Sequence, residues 1–191
     1  MRGIFIISIM TFLIGSTFGQ TDRKKVIPFD STSQKYTYEK IVEIQGKSAN
    51  DLYDIGKKWL INKFHDDKFL IDEHALKTVD LGNFQISVIL DMGSVNLTQN
   101  MVVIYDISLF YKESKCKLEI TSIKLSGNSQ GTTYETTLEA YEKSVENGHR
   151  GKKKNMQKYL YDIFIEIDTN LKKTISDFEL NIKGENKSKE W

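Results

Sequence analysis

The chain has 191 residues, with 27 basic and 26 acidic side chains, three histidines and one cysteine. This near balance lacks the excess of Lys and Arg on which phosphate binding relies, which argues against nucleic acid as a partner. A single cysteine excludes an intramolecular disulfide, and the length suits one domain with a buried core.

At the N-terminus Arg2 precedes an uncharged apolar run from Ile4 to Phe18. The run falls short of the roughly 20 residues of a membrane span and matches the apolar core of a secretory signal. Small residues Thr17 and Gly19 place the expected cleavage between Gly19 and Gln20; the alternative is an uncleaved anchor. No cysteine lies near the cut, so no lipid-modified N-terminus is expected. No second long apolar run follows, so the mature chain is expected to carry no transmembrane span. Removing residues 1–19 takes Arg2 away and leaves 26 basic against 26 acidic residues, with no general drive toward anionic lipid. The expected location is exported, periplasmic or secreted.

Residues 20–35, "QTDRKKVIPFDSTSQK", hold the only proline and a Ser/Thr cluster and read as a flexible leader. "YTYEKIVEI" then alternates, with Tyr36, Tyr38, Val42 and Ile44 on one side and Lys40 as the exception, which is a strand of period two. In "SANDLYDIGKKWLINKF" Ser48 is the expected N-cap and Asp51 sits in the first turn. Leu52, Tyr53, Gly56, Trp59, Leu60 and Phe64 share one helical face. Gly56 costs this helix roughly 1 kcal/mol against alanine, so a close approach to the layer beneath is expected there. Trp59 reads as core.

"KFLIDEH" is a short strand, and "LKTVDLGNFQISVILDM" reads as two strands around a Gly82-Asn83 turn. "MVVIYDISLFY" sets Val103, Tyr105, Ile107, Leu109 and Tyr111 on one face. After a turn at Glu113-Ser114, Cys116, Leu118 and Ile120 alternate with Lys115, Lys117 and Glu119, so Cys116 reads as a buried strand residue. Residues 126–155 are polar and read as a loop with a short helix around Leu138 to Val145, long for a structureless connection. Met156, Leu160, Ile163, Phe164, Ile167, Leu171, Ile175 and Phe178 recur at helical spacing. Gly184 ends that helix, and residues 182–191 read as a disordered tail. The expected architecture is α+β, in the order β-α-β-β-β-β-α. It is a curved antiparallel sheet of about five to six strands, with two helices on one face, and its domain spans 36–181.

The order of a signal, "YTYEKIVEI", the Trp59 helix, a meander containing "VIYDISLFYKESKCKLEITSIKL" and a late helix with "YLYDIFIEID" resembles a family of exported bacterial proteins. The family is described as a domain of unknown function with a TBP-like (TATA-binding-protein-like) fold. The resemblance rests on Leu52, Tyr53, Trp59 and Phe64 and on the strand pair from Val102 to Leu125, and covers roughly 36–181. It implies the fold and an exported setting. It implies no activity, cofactor or catalytic residue, and the fold name does not imply DNA binding, because function belongs to sites.

The chemical inventory points the same way. His65, His74 and His149 show no ligand spacing, and there is no zinc pattern, phosphate-cradling glycine loop or nucleophile elbow. His65 with Asp66-Asp67, and Asp72-Glu73-His74, read as solvated turns. The basic run "HRGKKKN" reads as a solvated loop. No catalytic residue, metal ligand or cofactor is expected.

The sheet face away from the helices is expected to carry Ile41, Ile89, Val102, Ile104 and Phe110 among Thr37, Glu39, Gln85, Ser87, Asp106, Ser108, Lys117 and Thr121. If Ile41, Ile89, Ile104 and Phe110 cluster, they form an interaction surface for an envelope protein or for self-association. That is the first functional reading, a non-catalytic cell-envelope binding module. The second is a carrier of a small apolar ligand in a cavity between the C-terminal helix and the sheet, walled by Tyr38, Tyr105, Tyr111 and Phe164. The third is an enzyme whose site the sequence does not display, which a buried cluster of titratable groups would reveal.

Overall fold

The structure, a computed structural model, describes residues 26–65, 70–72, 75–91, 93–129, 131–148 and 153–184. The expected signal with its Gly19-Gln20 cut lies outside the described residues, as do Asp66, Asp67, Glu73, His74, His149 and Trp191. The elements run β1 (Phe29–Asp30), β2 (Lys35–Tyr36), β3 (Tyr38–Glu43), α1 (Ala49–Phe64), β4 (Leu70–Asp72), β5 (Ala75–Lys77), β6 (Gly82–Asp91), β7 (Asn96–Lys112), β8 (Lys115–Ser129), β9 (Thr132–Thr137), α2 (Leu138–Gly148) and α3 (Lys153–Lys183).

The fold is α+β, built on an antiparallel sheet of seven strands with β7 and β8 at its centre. Along one side of β7 run β6, opposite residues 96–105, and then β5, opposite 108–110. Along the far side of β8 run β3, opposite 115–120, and β9, opposite 124–129. Each central strand is thus long enough to hold two shorter neighbours end to end.

A bulge reconciles this register with the core. Ile104 faces Lys124 but Asp106 faces Thr121, so Tyr105 alone opposes Ser122 and Ile123. Ser122 takes up a left-handed φ of 52°. The inward set of β8 therefore changes from Cys116, Leu118 and Ile120 to Ile123 and Leu125, all buried, where unbroken alternation would turn the second pair to solvent.

The helices cover one face. Ser48 caps α1 in a reciprocal box with Asp51, which satisfies orphan N–H groups at the helix start. Leu52, Trp59 and Leu60 from α1, and Ile163, Phe164, Ile167, Leu171 and Phe178 from α3, join Val103, Tyr105, Ile107, Leu109 and Tyr111 of β7 in one core. Trp59 is core, as expected, and its indole N–H donates to Asp177 Oδ2 of α3 at 2.9 Å. Lys40, the break in the β3 pattern, points to the helix side and pairs with Glu179 of α3 at 2.7 Å. Gly184, at φ 71°, follows the last turn of α3.

Four expectations change. Within residues 126–155, read as a loop around a short helix, β8 continues to Ser129 and Thr132–Thr137 form β9; the short helix is there as α2, Leu138–Gly148. The expected leader, 20–35, is not all free chain: its Phe29–Asp30 pair with Lys35–Tyr36 in a hairpin, and its Ile27 is fully buried, as is Tyr36. Ile182, placed in the tail, is buried on α3. Gly82-Asn83 is not a turn but the start of β6. The chain turns at Val79–Asp80, where Asp80 has φ 50° and its N–H donates to Asp106 Oδ1 at 2.7 Å.

Candidate functional site: a tyrosine-lined pocket between α2 and the sheet

The open sheet face separates its apolar residues. Ile41 and Phe110 are both partners of Lys117, one on each side, so they stand about 10 Å apart with a charge between them. Lys117 Nζ lies 4.8 Å from the centre of the Phe110 ring and 2.6 Å from Glu119. Ile104 lies six residues along β7 from Phe110, about 20 Å away, between Asn83 and Lys124. Lys124 in turn binds Asp80 at 2.8 Å and Glu135 at 3.4 Å. Ile89, 57% exposed, sits opposite Thr98 toward the other end of β7. Register thus disperses Ile41, Ile89, Ile104 and Phe110 among ion pairs.

The expected cavity walls are core. Tyr38, Tyr105, Tyr111 and Phe164 are all buried. Tyr38 Oη donates to Asp168 Oδ1 at 2.7 Å, and Lys172 holds the other carboxylate oxygen at 2.7 Å. Burial, and then this bond, push the Tyr38 hydroxyl far above the ordinary phenol range. Phe164 meets Tyr36 edge to face at 5.1 Å. Tyr111 packs against Gly56, where an added Cβ would strike its Oη. Gly56 is therefore the close approach expected of it.

A pocket among the described residues lies elsewhere. It has a volume of about 420 Å³ and is lined by Leu90 and Gln99 of β6 and β7, Tyr134 and Thr136 of β9, Tyr141, Ser144 and Val145 of α2, and Met156 and Tyr159 of α3. Local chemistry builds each wall. Thr137 Oγ1 accepts from the N–H of Ala140 at 3.2 Å and starts α2, whose Leu138, Tyr141 and Val145 share one face. The N-terminal hairpin holds α2 in place: the Tyr36 N–H donates to Glu139 at 2.8 Å and the Tyr36 hydroxyl to Glu142 at 2.7 Å. Gly127 of β8 faces Tyr134 across the ladder, and without a Cβ it lets the Tyr134 ring lie over the strand. Asn155 ties the start of α3 to the Asp91 carbonyl at 3.0 Å.

Tyr141 and Tyr159 share a hydrogen bond, Oη to Oη, of 3.0 Å. Burial raises both hydroxyls above the ordinary phenol value, as it does that of Tyr134. All three stay protonated donors at neutral pH. Among the described residues none that lines the pocket carries a charge, and none is a nucleophile with a base beside it. The chemistry on offer is apolar contact, aromatic faces and neutral hydrogen bonds. The sequence reading placed a short helix around Leu138 to Val145 but gave it no site, because the polar run before it showed no sign of β9, whose Tyr134 and Thr136 form the facing wall. Gly127 within a run of alternating residues was the remaining signal of close approach. Among the described residues no three of His, Cys, Asp and Glu converge as metal ligands, and no helix is long and apolar enough to cross a membrane.

Comparison with known proteins places the fold. Over 82% of this chain and 98% of its own, a TBP-like protein of Parabacteroides distasonis superposes with a TM-score of 0.55 at 13% identity. A DUF4468 family protein of Bacteroides ovatus covers 80% of this chain and 90% of its own, with a TM-score of 0.48 and 16% identity. No curated protein matches the chain. Residues 38–126, from the start of β3 into β8, match the family described as a domain of unknown function (DUF4468) with TBP-like fold. Through this stretch the chain is similar to that family of unknown function, and it shares the TBP-like fold of the Parabacteroides distasonis protein.

Proposed function

We propose that this is an exported, non-catalytic binding domain that holds a small uncharged ligand between α2 and the sheet. The observation that carries the reading is the pocket. Its roughly 420 Å³ lies in the range of small-ligand sites, and it combines apolar walls with a few converging polar groups. The apolar run from Ile4 to Phe18 supports export, and the neutral, protonated lining supports binding without chemistry. The pocket, not the open sheet face, bears the function, since the face's apolar residues are interrupted by Lys117, Glu119 and Lys124. Of the two binding modes the sequence offers, the carrier is the better supported, with its walls moved to α2.

Native mass spectrometry of the protein purified undenatured from its own cell envelope tests this. The expected result is a reproducible small-mass adduct, released on denaturation and missing from Val145→Lys, which puts a charge in the lining. A bare chain in both proteins overturns the reading.

A further inference from the structure

The pocket lining continues into an exposed apolar strip. Leu90 lines the pocket and faces Leu97 directly across the β6–β7 ladder, on the same side of the sheet. Leu97 is 43% exposed, and Val95, two residues on toward the hairpin tip, is 56% exposed. Met156, Leu90, Leu97 and Val95 thus lead from a buried wall out to solvent. At the wall, whichever of Tyr141 and Tyr159 donates in their mutual bond, the other keeps its own O–H proton for an acceptor. Gln99 adds a neutral amide.

Resting on the pocket reading above, we propose that the ligand is an uncharged single-chain amphiphile. Its head accepts a hydrogen bond at the Tyr141–Tyr159 pair, and its apolar chain runs out over Leu90 and Leu97. The described lining residues, all uncharged, offer an ionised head no counter-charge for the hydration it would lose. The exposed Leu97 and Val95 give a chain longer than the pocket apolar surface to cover.

The test uses the protein from Gln20 onward with the uncharged fluorophore N-phenyl-1-naphthylamine as probe, displaced by straight-chain 1-alkanols from hexanol to dodecanol. Displacement is expected to tighten about fourfold per added methylene. Leu97→Asn is expected to flatten the series for the longer alcohols and leave hexanol unchanged. Tyr159→Phe is expected to weaken every alcohol by a similar factor, about two- to tenfold. Dodecanoate is expected to compete at least tenfold more weakly than dodecanol. A probe that binds, and is lost in Val145→Lys, but is displaced without regard to chain length or Leu97, overturns the amphiphile and leaves the pocket reading standing. Equal competition by dodecanoate overturns the uncharged head alone. A probe that does not bind, or binds Val145→Lys equally, overturns the pocket reading itself.

Discussion

Tyr134 lies across Gly127, its cross-strand partner, so closely that a Cβ built at Gly127 would sit 2.6 Å from the Tyr134 oxygen and 2.8 Å from Cζ. The same relationship recurs between β6 and β7, where Gly82 faces Tyr105. In both, a glycine makes room on the pleated surface for an aromatic ring that covers the exposed backbone. The two differ in what the ring can do when crowded, because Tyr134 is half-buried at the pocket and Tyr105 is fully enclosed.

Gly127→Ala is therefore expected to displace Tyr134 and close or distort the pocket while leaving the fold in place. Stability in urea is expected to stay within about 1 kcal/mol of the parent, and naphthylamine binding to fall severalfold. Unchanged binding would show that Tyr134 does not shape the pocket.

Gly82→Ala is expected to do the reverse. Tyr105 has no free direction, so the added methyl overpacks the core and costs about 1–3 kcal/mol, read as a lower urea midpoint at constant slope. A variant as stable as the parent would mean that the β6 edge shifts freely.

The Tyr111 hydroxyl is buried with no hydrogen-bond partner among the described residues, and its oxygen occupies the space a Cβ at Gly56 would need. Tyr111→Phe removes an unsatisfied group and is expected to be neutral or stabilising by about 1 kcal/mol. Gly56→Ala alone sets a helix gain of about 1 kcal/mol against that clash and is expected to destabilise. Once the oxygen is gone the nearest atom is Cζ at 3.0 Å, so the double mutant is expected to be more stable than the sum of the singles by about 1 kcal/mol or more. Additive single effects would deny the contact.

Burial pushes the Cys116 thiol from its ordinary 9.0 up to about 12. The folded protein then keeps this proton while the unfolded chain releases it, so the unfolded state binds fewer protons above pH 9. Stability is unaffected by Cys116 below that value and is expected to fall as pH rises from about 9 to 12, by on the order of a few kcal/mol. The buried hydroxyls of Tyr38, Tyr111 and Tyr141 add a loss of the same sign above 10.0. Urea melts across this range check the slope. At pH 8 a disulfide reagent is expected to leave Cys116 unlabelled in the native protein and to label it on unfolding.

The sequence by itself determined the elements whose signals are local. Ser48 and Asp51 cap α1 within four residues, Val103 to Tyr111 alternate along β7, and the Met156 to Phe178 stripe marks α3, because period and capping depend only on near neighbours. It also identified Trp59 and Cys116 as core, since each sits within such a pattern. Only the tertiary structure decided the register that parts Ile41 from Phe110 by Lys117, the bulge at Ser122 that turns Ile123 inward, and the pairing of Thr132–Thr137 with β8 ahead of the short helix that the sequence had marked. β9 is polar, and its Tyr134 is half-buried over Gly127, its partner across the ladder, while Tyr141 of α2 meets Tyr159 of α3. Contacts between distant parts of the chain set the pocket, so no local periodicity announces it.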